Sequence, residues 1–309
     1  MRVQAPLPGR APVSLSRVAS SYTDDLRLAH LLSDDADSLS MDRYKALDLH
    51  VSTKPDLTPV TDADEAVETA IRRTLQRART RDAVQGEEHG TSGGGSRRWV
   101  IDPIDGTKNY VRGVPVWATL IGLLIGDEVV VGCVSAPALG RRWWASKGGG
   151  AWTGKSLMSA KQCHVSDVDD ISDASFSYAS LDGWDQIGRL DAMLTLMRRC
   201  WRTRAYGDFW SYMLLAEGAV DIAAEPELAL HDMAACDVIV REAGGRFTGL
   251  DGVPGVLGRN ALATNGRLHD AAMAFLGHFP DDERPREAPV SNVRDLGARR
   301  RPTEDVLPD

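Results

Sequence analysis

The chain has four cysteines, Cys133, Cys163, Cys200 and Cys236; no two form a Cys-x-x-Cys pair, and none stands near a histidine at zinc-finger spacing. That excludes a disulfide framework and a structural zinc module, and the thiols read as reduced and mostly buried. Nowhere do eighteen apolar residues run together, so no membrane-spanning helix is expected. Arg2 and Arg10 are not followed by an apolar h-region, which argues against a secretory signal and for a cytoplasmic location. An excess of positive charge is missing too. The 36 Lys and Arg face 44 Asp and Glu, for a net charge of −8, and the pI is near 5.4. Neither a nucleic-acid backbone nor an anionic membrane surface is then an expected partner. Small molecules and proteins are left.

What is present suits a globular enzyme: 309 residues, 43% hydrophobic and 26% charged, enough for one large domain or two intimately packed ones. Residues 1–20 are rich in Pro, Arg and Ser, and residues 280–309 mix Pro with both signs of charge, so both ends are expected to be disordered. Between them, periodicity predicts a helix over 24–39 and another from Asp62, with Ala63, Ala66, Val67, Ala70, Ile71 and Leu75 on one face. Residues 86–90 form a turn carrying acids, with His89 as a loop residue, and 91–96 a Gly/Ser loop. Strands over 118–125, 128–135 and 141–146 make an antiparallel meander that breaks at Gly148-Gly149-Gly150. No Lys-Ser/Thr follows those glycines, so they read as a hairpin turn and not a phosphate loop. Trp143 and Trp144 fall on alternate strand faces and read as one packed and one half-exposed ring.

The second half alternates. Helices are expected over 185–200, 208–218 and 232–243, and strands near 201–205, 220–223, 246–248 and 261–264. The pattern predicts an α+β half over 21–160 followed by an α/β half over 161–279.

The chemistry concentrates in Trp99-Val-Ile-Asp-Pro-Ile-Asp-Gly-Thr107, where Asp102 and Asp105 stand three residues apart as an apolar strand breaks into a turn. Pro103 withholds a ladder N–H after Asp102, and Gly106-Thr107 can open a helix whose free N–H groups face an anion. Each aspartate alone could be a helix cap. More acid lies on both sides, however, at Glu87-Glu88 and at Asp232, without matching Lys or Arg. Such a gathering repels itself unless hard cations sit between the carboxylates. Magnesium held by oxygen ligands neutralises phosphate oxygens, acidifies a water and steadies a leaving oxygen, with no need for His or Cys.

Gly86-Glu87-Glu88, the 99–107 segment and Asp232-Met-Ala-Ala235 resemble, in order and spacing, the three signatures of the inositol monophosphatase superfamily, over roughly residues 24–278. The resemblance implies a layered α-β-α-β-α sandwich, two or three Mg²⁺ ions per site and a homodimer. It also implies that Glu87, Asp102, the Ile104 carbonyl, Asp105 and Asp232 are metal ligands, and that Gly106 and Thr107 bind phosphate through backbone N–H groups. Thr107, its hydroxyl oriented by Asp62, would position the attacking water beside Glu87, with in-line displacement and no phosphoenzyme. Asp62 could equally be a plain helix cap. The third signature usually has Trp before its aspartate, and here that residue is His231, which leaves the ligand intact and changes the pocket wall.

Substrate choice points to Arg204-Ala-Tyr-Gly-Asp-Phe-Trp210. The residue after this glycine is small and neutral in inositol-hydrolysing relatives. Asp208 instead resembles the histidinol-phosphatase branch, whose substrate carries an amine and an imidazole. Glu225, seven residues before Asp232, matches the family position that contacts the part of the substrate beyond the phosphate, and the resemblance so implies a second acid in the same pocket. Asp208 could also N-cap the helix that follows, and Tyr206, Phe209 and Trp210 serve equally as core. The expected reaction is hydrolysis of L-histidinol phosphate. Alternatives are inositol monophosphate or fructose 1,6-bisphosphate as substrate, or, more remotely, a non-catalytic phosphate- or metal-binding protein.

Overall fold

The structure, a computed structural model, describes residues 22–55 and 58–277. The expectations for 1–20 and 280–309 lie outside the described residues. A two-stranded ribbon, β1 (Val51–Thr53) and β2 (Pro59–Thr61), leads into the body of the protein. The larger sheet contains β3 (Ala83–Gly86), β4 (Gly90–Ser92), β5 (Arg97–Asp105), β6 (Ala118–Ile125), β7 (Glu128–Ala136), β8 (Arg141–Ser146), β9 (Ala151–Gly154) and β10 (Lys161–Gln162). Its order is β10-β9-β8-β7-β6-β5-β3-β4, antiparallel except where β3 joins β5. The smaller sheet runs β12-β11-β13-β15-β14, with β11 (Ser175–Tyr178), β12 (Arg202–Arg204), β13 (Ile222–Glu225), β14 (Arg246–Thr248) and β15 (Ala261–Thr264).

Eight helices cover these sheets among the described residues: α1 (Thr23–Arg43), α2 (Asp62–Ala78), α3 (Thr107–Val111), α4 (Leu181–Gln186), α5 (Leu190–Arg199), α6 (Asp208–Ala216), α7 (Leu230–Glu242) and α8 (His269–Leu276). Side chains alternate across a strand, so β6 sends Ile121 and Leu123 into the core shared with α1 and α2. Ala118, Leu120 and Leu124 go the other way, into the core shared with α6 and α7. That second core also takes Ala223, Phe247 and Ala263 from the smaller sheet, whose opposite face packs on α4, α5 and α8. The layers are therefore α1/α2, sheet, α6/α7, sheet and α4/α5/α8, the α-β-α-β-α sandwich.

Both faces of the larger sheet are covered, which corrects the reading of Trp143 and Trp144. They do point to opposite faces, but each ring is buried, Trp143 against Phe209 and Trp144 against His30. Three further differences are local. The 185–200 helix is interrupted, because Gly188 at φ 69° takes a left-handed conformation between α4 and α5. Part of the Gly/Ser loop is β4, paired with β3. Strand β5 does not stop at Pro103. It continues to Asp105 with a register irregularity between Asp102 and Asp105, so the ladder bulges where proline has no N–H to give.

Two glycines set the depth at which α7 lies. A Cβ on Gly122 would come within 2.8 Å of the Ala234 Cβ, and one on Gly132 within 2.7 Å of the Ala235 carbonyl. Their absence lets the α7 backbone settle directly on β6 and β7, and this brings Asp232 at the α7 N-terminus beside Asp102 on β5. Adding a methyl at either glycine would overpack the layer, at a cost of about 1–3 kcal/mol.

Candidate active site

A cleft of about 1160 Å³ opens between the two sheets, lined by Glu87, Asp102, Ile104, Asp105, Gly106, Thr107, Asp208, Glu225 and Asp232. Strand β5 and its bulge supply the centre. Asp102, 2% exposed, has a buried Oδ1 with no hydrogen-bond partner among the described residues. Asp105 follows the bulge, and its Oδ2 accepts the Phe209 N–H at 2.6 Å. Gly106, at φ 83°, turns the chain into α3. From α7, Asp232 accepts the Ala229 N–H on Oδ2 at 2.7 Å, which leaves Oδ1 for the cleft. Carboxylate oxygens of Asp102, Asp105 and Asp232 lie within 4.8 Å of one another, a spacing that bridging cations can span.

The electrostatics agree with that spacing. Burial first, and then Glu87, Asp105 and Asp232, push the Asp102 carboxyl well above the usual range; burial, Asp208 and Asp232 do the same to Asp105. In the Asp102, Asp105 and Asp232 group, an orphaned buried oxygen among mutually repelling acids, all with oxygen donors, fits a hard divalent cation.

Glu87 sits just past β3 on a turn anchored by Glu68. The Glu68 carboxylate is fully buried, 2.6 Å from Arg72 Nε, and accepts the N–H groups of Glu88 at 2.7 Å and His89 at 3.1 Å. A Cβ on Gly86 would stand 2.1 Å from Glu68 Oε1, so this acid needs a glycine opposite it. Lys54, after β1, donates to Glu87 at 2.6 Å and to Glu88 at 2.7 Å. Burial opposes the lysine charge, yet the two carboxylates outweigh it and hold the ammonium protonated.

The geometry corrects the assignment of Asp62. Its Oδ2 accepts from Arg43 Nη2 at 2.7 Å, and the residue lines a separate shallow groove with Leu39, Glu65 and Arg73. Asp64 takes the inward place: its Oδ1 is 3.5 Å from the Thr107 hydroxyl, which also donates to the Ile104 carbonyl at 3.0 Å. The reason is a reciprocal helix cap. Thr61 Oγ1 accepts from Ala63 and Asp64, while Asp64 Oδ2 accepts the Thr61 N–H at 2.8 Å and its hydroxyl at 2.5 Å. A Thr-x-x-Asp box turns its acid back toward the cap, and the first residue of the helix turns away. Asp64, Glu68, Ile71 and Leu75 also share one buried stripe, a signal in the sequence that marks Asp64 as inward. Burial raises Asp64 to about 6.

On the far side of the cleft Asp208 does not act as a helix cap. Gly207 is the cap residue of α6, and the Asp208 side chain makes no capping bond. Its Oδ2 instead accepts from Asn109 Nδ2 at 3.0 Å, and the backbone adopts φ 50°, unusual for a residue with a side chain. Burial and the neighbouring Asp232 raise it to about 6. Glu225, at the end of β13 and 7% exposed, has a buried Oε1 with no hydrogen-bond partner in good geometry among the described residues. Burial and Asp208 raise it to about 8. Phe209 is core, whereas Tyr206 and Trp210 pack against the core from its margin. Asp64, Lys54, Glu68 and Asn109 had not been singled out from the sequence.

A model of the inositol monophosphatase family matches residues 27–277. A histidinol-phosphatase of Streptomyces coelicolor is 65% identical over 259 residues, 82% of this chain and 97% of its own. A histidinol-phosphatase of Mycobacterium tuberculosis is 56% identical over 254 residues, 82% of this chain and 98% of its own. Among solved structures, an inositol monophosphatase from Zymomonas mobilis superposes with a TM-score of 0.73 at 28% identity, covering 83% of this chain and 99% of that one.

Proposed function

The chain belongs to the inositol monophosphatase family, and from that premise we propose that it hydrolyses L-histidinol phosphate to L-histidinol and phosphate. The observation that carries the substrate is the pair Asp208 and Glu225, two acids lining the cleft that form no ion pair among the described residues. Both are lifted by burial toward protonation, so an entering ammonium or imidazolium would restore their charge. An uncharged polyol would leave that cost uncompensated. The names borne by the two relatives described above agree with this reading.

In the mechanism proposed, Glu87, Asp102, the Ile104 carbonyl, Asp105 and Asp232 hold magnesium, two or three ions in all. Bound there, the metal supplies charge neutralisation of the phosphate and a lowered water pKa. The chain's own part is orientation and proton handling. Gly106 and Thr107 offer backbone N–H groups to the phosphate, and the Thr107 hydroxyl, relayed to Asp64, takes the proton of the attacking water. Asp208, held by Asn109, and Glu225 fix the amine end so that the ester lies in line. Magnesium as the working ion, a homodimer and a cytoplasmic location belong to the same proposal. Among the described residues no helix is long and apolar enough to cross a membrane.

Phosphate release from L-histidinol phosphate, inositol 1-phosphate and fructose 1,6-bisphosphate, with and without magnesium, tests this reading. A magnesium-dependent preference for histidinol phosphate is expected. Equal turnover of inositol 1-phosphate would overturn the role given to Asp208 and Glu225, and silence on all three substrates would overturn the catalytic reading.

A further inference from the structure

His231 is the second residue of α7 and turns into the same cleft as the acids. One of its ring nitrogens lies with a carboxylate oxygen of Glu87 and one of Asp102 in a group whose members are all within 4.8 Å of one another. Its Nε2 is 3.6 Å from Asp232 Oδ1, beyond hydrogen-bond reach, and among the described residues neither ring nitrogen has a hydrogen-bond partner. The ring is four-fifths buried, its side chain 19% exposed. Within the same group, Asp102 presents the buried, unpartnered Oδ1. A largely buried imidazole that, among the described residues, makes no hydrogen bond and only a 3.6 Å approach to Asp232, beside an orphaned carboxylate oxygen, is a donor set that lacks its acceptor.

We propose that His231 is a nitrogen ligand to the cation held by Glu87 and Asp102. This rests on the reading of those two carboxylates as metal ligands and adds a donor of another kind. The Asp102, Asp105 and Asp232 group is all oxygen; the Glu87, Asp102 and His231 group is mixed nitrogen and oxygen. Imidazole raises affinity for first-row transition ions, Zn²⁺ more than Mn²⁺, above that for magnesium, whose preference is for oxygen and retained water. The two positions therefore differ in selectivity: magnesium can fill both, but the histidine-bearing one holds Mn²⁺ or Zn²⁺ more tightly, and the all-oxygen one does so to a lesser degree. The position of His231 makes this possible, since an indole there has no lone pair to give.

The test titrates Mn²⁺ and, separately, Mg²⁺ into the metal-free full-length protein, wild type and His231→Gln, and records pulsed EPR of the Mn²⁺ complex. Wild type should show coupling of bound Mn²⁺ to an imidazole nitrogen. His231→Gln should lose that coupling, with Mn²⁺ affinity falling about tenfold or more and Mg²⁺ affinity changing much less. His231→Leu, checked for an unchanged melting curve, should behave as His231→Gln does. Mn²⁺ binding to wild type without nitrogen coupling, or coupling that survives both substitutions, would overturn the proposal and leave the carboxylate site standing. Failure of wild type to bind Mn²⁺ at all would overturn the carboxylate reading as well.

Discussion

Asp64→Asn is expected to remove activity while sparing most of the stability, and Asp62→Asn to leave activity in place. Asp64 Oδ1 faces the Thr107 hydroxyl at 3.5 Å, and its Oδ2 is committed to Thr61. An amide at position 64 keeps the shape but loses the charge that would draw a proton through Thr107. Proton transfer by a positioned group contributes about 10²–10⁴ in rate, so kcat should fall by that factor, about 3–5.5 kcal/mol of barrier. The same substitution weakens the Thr61 cap, which costs about 1 kcal/mol of stability. Asp62 pairs with Arg43 where the side chains are 38% and 28% exposed, so loss of that pair costs about 1 kcal/mol or less. The assay is kcat and KM for phosphate release at saturating magnesium, beside denaturant midpoints for both variants. Loss of as much kcat in Asp62→Asn as in Asp64→Asn, or an Asp64→Asn rate above about a tenth of the wild-type rate, would exclude Asp64 as the proton acceptor.

Asp208→Ala should lower kcat/KM for histidinol phosphate by about a hundredfold, the worth of a charge-assisted contact of roughly 3 kcal/mol, and barely alter inositol 1-phosphate turnover; parallel progress curves decide this. Magnesium at a hundred times its Kd should stabilise the protein by about 2.7 kcal/mol, seen as a rise in Tm. Asp102→Asn should melt higher than wild type without metal, because it relieves an unpaired buried charge, and gain little from magnesium. His269 lies between the Thr248 and Thr264 hydroxyls, each 3.1 Å from a ring nitrogen, and burial followed by the charge of Arg246 lowers it to about 4. The unfolded chain, with an ordinary histidine near 6.5, then binds the extra proton between those values. Stability from this residue is complete above about pH 6.5 and lost as pH falls toward 4, about 2 kcal/mol by pH 4.5. His269→Gln should flatten that part of the stability profile, measured by urea unfolding between pH 7 and 4.5.

Local order and short spacing determined much of this protein. Trp99 to Thr107 is one continuous piece, so its strand, its turn and the placement of Asp102, Ile104 and Asp105 around a common point follow from residues next to one another. The starts of α2 and α6, near Asp62 and Asp208, and the glycine hairpin after β8 were legible for the same reason. Tertiary structure decided whatever depends on a distant partner. The helical stripe marks Asp64 of Thr-Asp-Ala-Asp as inward, but only packing shows that it faces Thr107, 43 positions later. Asp208 could have capped its own helix, and Asn109, 99 positions earlier, claims it instead. Whether Trp143 and Trp144 were exposed depended on helices packing over both faces of a sheet, and strand alternation reveals two faces without saying what covers them. Gly122 and Gly132 look like weak points in their strands until α7 rests on them and sets Asp232 and His231 at the mouth of the cleft. Periodicity and capping act over a few residues and can be read from the chain, whereas the choice among chemically equivalent side chains is made by whichever surface packs against them.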